Sequence, residues 1–250
     1  MNQSSIAAKA RSLLDRHFSG AQMDWRAMRA LFLPILVDQA FLVGLNLVNT
    51  ALVSSSGVAA IGAVSTIDAL NIFLINVFIA VATGGTVVVA QYKGSRNDAM
   101  VSRAAAGSIG TVSLLSLAIG MLVLALHGPA LRMLFGAGEP EVVANAETYL
   151  IGSGLSYLGV GVVQAVSGVM RGIGKSQVAL ALSLIMNVSY VLLNVLFIVA
   201  LDMGVLGLSI ATNIARYAAA ACALFYVFKD RKSTRLNSSH IQKSRMPSSA

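Results

Sequence analysis

Charged residues are scarce in this sequence of 250 residues, at 11%, whereas 56% of the residues are hydrophobic. Soluble domains carry about a quarter of charged residues, so the composition argues against one. Cysteine occurs once, at Cys222, which excludes a disulfide framework and a thiolate metal site. Before residue 230, histidine occurs only at His17 and His127, so the sequence offers no histidine metal cluster.

Catalytic motifs are missing as well. The sequence contains no GxSxG elbow, no complete P-loop and no GxGxxG that follows a strand pattern. The stretch RGIGKS at residues 171–176 resembles a phosphate loop, but it lacks the eight-residue Walker spacing. We therefore expect that the protein is not an enzyme and binds no cofactor other than a transported ion.

What the sequence does contain is six long apolar segments. They are residues 31–53, 61–90, 104–126, 149–170, 178–201 and 205–228. Each reaches the roughly 20 apolar residues that a helix needs to cross about 30 Å of hydrocarbon. Because lipid cannot satisfy backbone polar groups, these segments are predicted to be helices. The sequence thus predicts an all-α, multi-pass bundle of six transmembrane helices over residues 31–229.

The basic residues follow one set of connections. Residues 1–30 carry five Lys or Arg, the connections after the second and fourth segments carry three and two, and Lys229 ends the sixth. The opposite connections hold only Arg132, and residues 128–147, which include Pro129, are predicted to form an external turn. The positive-inside rule then places both native termini in the cytoplasm, at the cell (inner) membrane. Residues 1–30 suit a cytoplasmic interfacial segment, either a short helix or a flexible tail.

The last 21 residues differ from the rest. Residues 230–250 read DRKSTRLNSSHIQKSRMPSSA, which fits the translation of a common short-read sequencing adapter. We interpret them as a non-native tail, the alternative being a basic cytoplasmic tail. Without them the formal charge falls from +8 to +4, so the basic balance is no sign of nucleic-acid binding. On this interpretation the frame is cut after Lys229, and the chain is part of a longer protein.

Three ionisable residues lie inside the apolar segments, namely Asp38, Asp68 and Arg216. With a rise of about 1.5 Å per residue, Asp38 lies about 10 Å from the cytoplasmic edge and Asp68 about 10 Å from the outer edge. Arg216 falls near the midplane. Ionisable groups at these depths are costly and mark either function or a buried pair. For Arg216, neutralising an aspartate is the simpler alternative.

Amide and phenol side chains accompany these charges. Asp68 and Asn71 share one helix face. Thr212, Asn213 and Arg216 share another, and Asn187, Tyr190 and Asn194, at spacings of three and four, share a third. The candidates for ion coupling and cavity lining are Asp38, Asn49, Asp68, Asn71, Asn187, Tyr190, Asn194 and Arg216. The first, second, fifth and sixth segments are predicted to line a polar cavity in the outer half of the bundle. A carboxylate in such a cavity could take up and release a proton, and the amide and phenol oxygens around it could coordinate Na⁺. The alternative is that these polar side chains only form hydrogen bonds between helices.

Several stretches resemble the multidrug and toxic compound extrusion (MATE) family. They are LFLPILVDQAFLVGLNLVNT near the start, ATGGTVVVAQYKG closing the second segment, and later ETYL, GVMRGIGKSQ and GVLGLSIAT. The resemblance covers about residues 27–229. It implies one six-helix lobe of a twelve-helix transporter that exports drugs and organic cations against H⁺ or Na⁺. The implied partners are membrane lipid, small amphipathic or cationic substrates and a missing C-terminal lobe.

The sequence departs from the family at the expected coupling positions. Many members carry Asp where Asn49 and Asn194 stand here, and Asn where Tyr190 stands. Because an Asn amide cannot release a proton in the physiological range, we hypothesise that Asp68 acts as the titrating or cation-binding group. Two other functions stay open: a flippase for lipid-linked sugars with a related fold, and a non-transporting membrane scaffold. Flippases often hold several basic residues in the cavity, so a single intramembrane Arg216 favours the exporter.

Overall fold

The computed structural model describes residues 57–136 and 138–229 with their side chains, the backbone of residues 230–244, and residues 32, 33, 35–37, 39–41, 43, 44, 47, 48 and 51. All regular elements in this described part are helical, which confirms the all-α prediction. The helices are α1 (Val58–Gly94), α2 (Asp98–Phe135), α3 (Pro140–Gly172), α4 (Ser176–Asn194) and α5 (Gly204–Ser244), and a π-helical segment, Val195–Ala200, continues α4.

The helices α1 to α5 correspond to the second to sixth apolar segments. All five are long and apolar enough to cross a membrane, α5 through its part Gly204–Lys229, which supports the multi-pass prediction. The described residues between 32 and 51 are also helical. Asp38, Asn49 and residues 1–30 lie outside the described residues, as do the side chains from residue 230 onward. The interpretation of the tail therefore stays a prediction.

Helices α2 and α3 extend beyond the apolar segments, and the residues at their starts favour a helix there. At the start of α2, the Asn97 side chain accepts a hydrogen bond from the Met100 amide at 3.2 Å, and α3 begins with Pro140. The external turn predicted for residues 128–147 is wrong in extent, because α2 continues through Pro129 to Phe135. Membrane helices tolerate an internal proline, so Pro129 did not mark the helix end.

Helix α3 is the central helix of the described bundle. In its most apolar stretch 78% of the residues are buried, against 17% in α1, α2 and α4. Small residues allow its neighbours to approach: a Cβ on Gly168 would lie 3.0 Å from the Ala82 carbonyl oxygen of α1, and one on Gly159 would lie 3.1 Å from the Arg216 carbonyl carbon of α5. Membrane helices associate largely through this kind of close packing.

Apolar side chains form three buried clusters along α3. One, around Ile67, Leu150 and Leu208, lies toward the start of α3, and another, which includes Val166 and Ala219, lies toward its end. The third lies between them, where the Phe78 and Tyr157 rings meet edge to face with centroids 5.8 Å apart. Polar side chains between the first and third clusters are therefore enclosed by apolar packing on both sides.

Candidate functional site

Asp68 accepts hydrogen bonds from side chains of two helices. Its Oδ1 receives the Tyr149 hydroxyl of α3 at 2.6 Å and the Asn71 side-chain amide of its own helix at 3.3 Å. Asp68 is partly buried, and Tyr149 is buried. The short Tyr149 bond joins α1 to α3, and an ionised carboxylate would make it a charge-assisted bond.

Asn71 continues this network one turn further along α1. Its Nδ2 also donates to the Ser153 Oγ at 3.0 Å, and its Oδ1 accepts the Tyr157 hydroxyl at 2.6 Å. Asn71, Ser153 and Tyr157 are all buried, so each bond satisfies a polar group that water does not reach. We call the set Asp68, Asn71, Tyr149, Ser153 and Tyr157 the polar cluster.

The residues that α3 contributes to the polar cluster were not among the predicted candidates. Tyr149, Ser153 and Tyr157 are spaced by four residues, which places them on one face of the helix. That spacing was a usable signal, and Tyr149 is part of the ETYL stretch. Tyrosine is also common at membrane interfaces and in cores, however, so the pattern alone does not assign the residues to a site.

A second set of polar side chains joins α4 to α5 beside the polar cluster. Tyr190 lies close to Asn194 on its own helix and to Thr212 on α5. Asp68 lies within electrostatic range of Tyr190 as well as of Tyr149. Asn194 and Thr212 are both buried. Polar residues of the fifth and sixth apolar segments thus lie in the same region as Asp68, and the fourth segment supplies its hydrogen-bond partner on another helix. The polar cavity expected from the first, second, fifth and sixth segments stays a prediction.

Arg216 is on α5 and contacts α3 nearer to the end of that helix than Asp68 does. Its Nη1 donates to the Ser156 Oγ at 2.6 Å, and the Ser156 hydroxyl donates to the Ser153 carbonyl oxygen at 2.7 Å. In the described part of the chain, the ion pairs are Lys93–Asp98 and His127–Glu147, so Arg216 and Asp68 do not form a salt bridge there. Both charges nevertheless lie within electrostatic range of Tyr149, Tyr157 and Tyr190.

Two further polar residues, Asn187 and Asn213, form hydrogen bonds to groups other than Asp68. The Asn187 amide donates to the carbonyl oxygen and Oγ of Ser183 in its own helix, at 2.8 and 3.2 Å. Asn213 donates to the Gly152 carbonyl oxygen at 2.9 Å and so fastens α5 to α3. Asp38 and Asn49 lie outside the described residues, and the contribution of the first segment to the site stays a prediction.

This arrangement places one carboxylate and one guanidinium in a connected set of hydroxyl and amide groups at membrane depth. The carboxylate can exchange a proton or hold a cation, while the tyrosine and amide groups re-form their hydrogen bonds around either state. A charge on Asp68 strengthens its bond from Tyr149 and so bears on the contact between α1 and α3.

Comparison with known proteins finds one family and one fold. The family model MatE matches residues 34–199. An uncharacterised transporter of Bacillus subtilis strain 168, YisQ, is 27% identical over 210 residues, which is 81% of this chain and 43% of YisQ. The chain thus spans less than half the length of this curated relative.

Solved structures share the fold. A multidrug resistance MATE family transporter of the MOP superfamily, in an outward-facing conformation, matches with a TM-score of 0.77 and 21% identity over 82% of this chain and 45% of that one. A MOP superfamily transporter from Pyrococcus furiosus, described as having a binding pocket of reversed polarity, matches with a TM-score of 0.72 at the same identity and coverage. The described bundle therefore has the fold of about half of such a transporter.

Proposed function

Because the chain belongs to the MATE family of membrane transporters, we propose that it is one lobe of a secondary-active exporter of drugs or organic cations, driven by H⁺ or Na⁺. The observation that carries this proposal is the Asp68 carboxylate, which is partly buried within a membrane-spanning helix and bonded to Tyr149. A carboxylate at membrane depth is costly to keep, and it marks an ion or substrate pathway by default.

Asp68 can serve as the group for which the two cargoes compete. An ionised carboxylate attracts a substrate cation, and a protonated one does not. Antiport requires this exclusive binding, because proton uptake must release the substrate and proton loss must prepare the site for the next one. The Tyr149 hydroxyl and the Asn71 side-chain amide supply polar partners for the carboxylate in both states.

Through the bond between Asp68 and Tyr149, an ion that binds Asp68 would alter the contact between α1 and α3. The bond links α1 to the central helix α3, and Asn71 adds two further links through Ser153 and Tyr157. Neutralising Asp68 weakens the charge-assisted link while the links of Asn71 remain. Proton binding then favours a different packing of α1 against α3, which is a direct route from ion occupancy to a change in access.

Sodium is the alternative driving ion. Carboxylate, amide and hydroxyl oxygens are the ligands that hard cations prefer. Asp68 offers a carboxylate with the Tyr149 hydroxyl oxygen 2.6 Å away, and the Oδ1 of the neighbouring Asn71 lies 2.6 Å from the Tyr157 hydroxyl. Both ions act through the same carboxylate in this proposal, so one substitution tests both.

The complete transporter in this proposal contains a second lobe. The chain covers 43% of YisQ and 45% of the solved transporters, which supports a partner lobe of similar size supplied by the rest of the protein. We place the protein in the cell (inner) membrane with both native termini in the cytoplasm, because Lys and Arg gather on one set of connections. Among the described membrane-spanning stretches, Arg216 is the one Lys or Arg far from an end, which favours the exporter over a flippase that grips a pyrophosphate.

Proteoliposomes containing the full-length protein test the role of Asp68. The Asp68→Asn variant keeps the shape of the side chain and removes its charge, and we expect it to lose acceleration of drug efflux by an imposed H⁺ or Na⁺ gradient. Asp98→Asn is the matched control, since Asp98 is exposed and pairs with Lys93 at 3.2 Å. Gradient-driven efflux that is unchanged in Asp68→Asn would disprove coupling through Asp68.

A further inference from the structure

Arg216 occupies the most demanding position for a charge in the described bundle. It lies 12 residues after Gly204 and 13 before Lys229, so it sits about 18 Å from either end of the spanning part of α5. That distance exceeds the reach of an arginine side chain, and the guanidinium cannot extend to the lipid headgroups. A cation held at this depth requires an anionic partner or a polar cavity.

The guanidinium is directed into the bundle and held there. Its Nη1 donates to the Oγ of Ser156, a side chain with 0% exposure. Ser156 donates its own proton to the Ser153 carbonyl oxygen, so its Oγ faces Arg216 as an acceptor. The close approach of Gly159 to the Arg216 backbone and the bond from the Tyr217 hydroxyl to the Leu155 carbonyl oxygen, at 2.7 Å, fix this part of α5 on α3.

The described residues supply Arg216 with a hydroxyl but no carboxylate. Asp68 is bonded to Tyr149, and Tyr149 precedes Ser156 by seven residues, which is about 10 Å along α3. A salt bridge needs a separation of about 4 Å, so Asp68 does not neutralise Arg216 directly. A guanidinium with one hydroxyl partner retains N–H groups arranged to bind a carboxylate or another small anion.

We propose that Arg216 and Ser156 form an anion-binding site, separate from the cation or proton site at Asp68. Its ligand is a small monovalent anion, either free chloride or a carboxylate group of a transported molecule. The two charged sites are connected through Ser153, whose carbonyl oxygen accepts from Ser156 and whose Oγ accepts from Asn71, so the bundle presents opposite charges at two depths. This inference does not depend on which ion drives transport or on whether Asp68 couples to it.

Anion-dependent thermal stability of the purified full chain in lipid nanodiscs tests the site, with potassium chloride and potassium acetate as probes. We expect the wild-type melting temperature to rise and saturate with at least one anion, because a ligand that binds only the folded state stabilises it. Arg216→Gln should raise the half-saturating concentration about tenfold or more, as expected for the loss of a charged hydrogen-bond donor. Arg96→Gln, the same substitution at an exposed arginine, should match the wild type.

The other variants keep the result interpretable. Arg216→Lys retains the charge but loses the planar fork, so we expect a saturable response with weaker binding even where Arg216→Gln does not fold. Asp68→Asn should keep the anion response, which separates this test from the test of ion coupling. A chloride response identifies a free halide as the ligand, and a response to acetate alone identifies a carboxylate.

Three results would overturn the proposal. The wild type shows no saturable response to either anion, or Arg216→Gln responds as the wild type does. The third is a response that appears only after Asp38→Asn, because the guanidinium would then belong to Asp38.

Discussion

The hydrogen bond from Tyr149 to Asp68 should have an energetic contribution that depends on the charge of its acceptor. The Tyr149 hydroxyl lies 2.6 Å from the Asp68 Oδ1, and the two residues, on α3 and α1, are 81 residues apart in sequence. A hydrogen bond to a charged group contributes about 1.5–3 kcal/mol, whereas a neutral one contributes about 0.5–1.5 kcal/mol. Measured values between membrane helices average about 0.6 and reach about 1.7 kcal/mol, because the unfolded chain in the membrane also finds partners. We therefore expect about 1–2 kcal/mol with Asp68 ionised and less than half of that with Asp68 protonated.

A double-mutant cycle isolates the part of this bond that depends on the charge. Tyr149→Phe is measured with Asp68 and with Asp68→Asn, and the free energy of unfolding is obtained in mixed micelles for all four proteins. Asp68→Asn keeps an oxygen acceptor and removes the charge, so Tyr149→Phe should cost less in the Asp68→Asn background than in the wild type. The sign follows from the acceptor, since only an ionised carboxylate carries the charge that strengthens the bond.

The neighbouring pair Tyr157 and Asn71 is the matched control. The same Tyr→Phe change removes a hydroxyl bond of the same length, 2.6 Å, to the neutral amide oxygen of Asn71. The cost of Tyr157→Phe should therefore be nearly the same with Asp68 and with Asp68→Asn. An equal cost of Tyr149→Phe in the two backgrounds would refute the reasoning that a charge at Asp68 strengthens the contact between α1 and α3.

Two further predictions concern packing and polar contacts, both measured as the free energy of unfolding in mixed micelles. Gly120→Ala should destabilise the protein by about 1–3 kcal/mol, because the added Cβ would lie 2.8 Å from the Gly154 carbonyl oxygen. Gly110→Ala on the same helix, where the added Cβ would meet no atom within 4 Å, should be neutral or stabilising. Equal effects of the two substitutions would contradict the close approach of α2 to α3. Asn71→Leu should cost about 1–3 kcal/mol because it leaves the buried Tyr157 hydroxyl without its acceptor, whereas Asn187→Leu removes bonds within one helix and should cost about 0.6 kcal/mol or less. A loss of unfolding free energy in Asn187→Leu as large as that in Asn71→Leu would show that the main partner of Asn187 is not Ser183.

The pairing of Asp68 with Asn71 illustrates what could be predicted from the sequence. The two residues are three apart on a helix, so a shared face followed from helix geometry alone, and the structure joins them by a hydrogen bond of 3.3 Å. The same geometry places Tyr190 and Asn194, four residues apart, on one face of α4, and their role in a cavity stays a prediction. The spacing along the sequence was therefore enough to predict which polar residues share a face when they lie on the same helix.

The position of the central helix could not be obtained in this way. Helix α3 carries Tyr149 and Tyr157 to α1 across more than eighty residues of sequence, and it is less apolar than α1, α2 and α4 because glycine and serine line its contacts. Those small residues have no periodic hydrophobic signal that identifies their neighbours. The partners are determined by which helices can approach closely, and that depends on the shapes of both surfaces.

The membrane helices themselves followed from the apolar segments, because a chain in lipid must satisfy its backbone polar groups within each segment. The cost of a charge in lipid likewise made the ionisable residues of those segments, Asp68 and Arg216 among them, candidates from the sequence alone. Their direct partners, Tyr149 for the carboxylate and Ser156 for the guanidinium, both lie on α3 and are contributed by tertiary packing. Backbone hydrogen bonding is local and can be read along a sequence, whereas side-chain contacts between helices arise only when all of their surfaces are packed together.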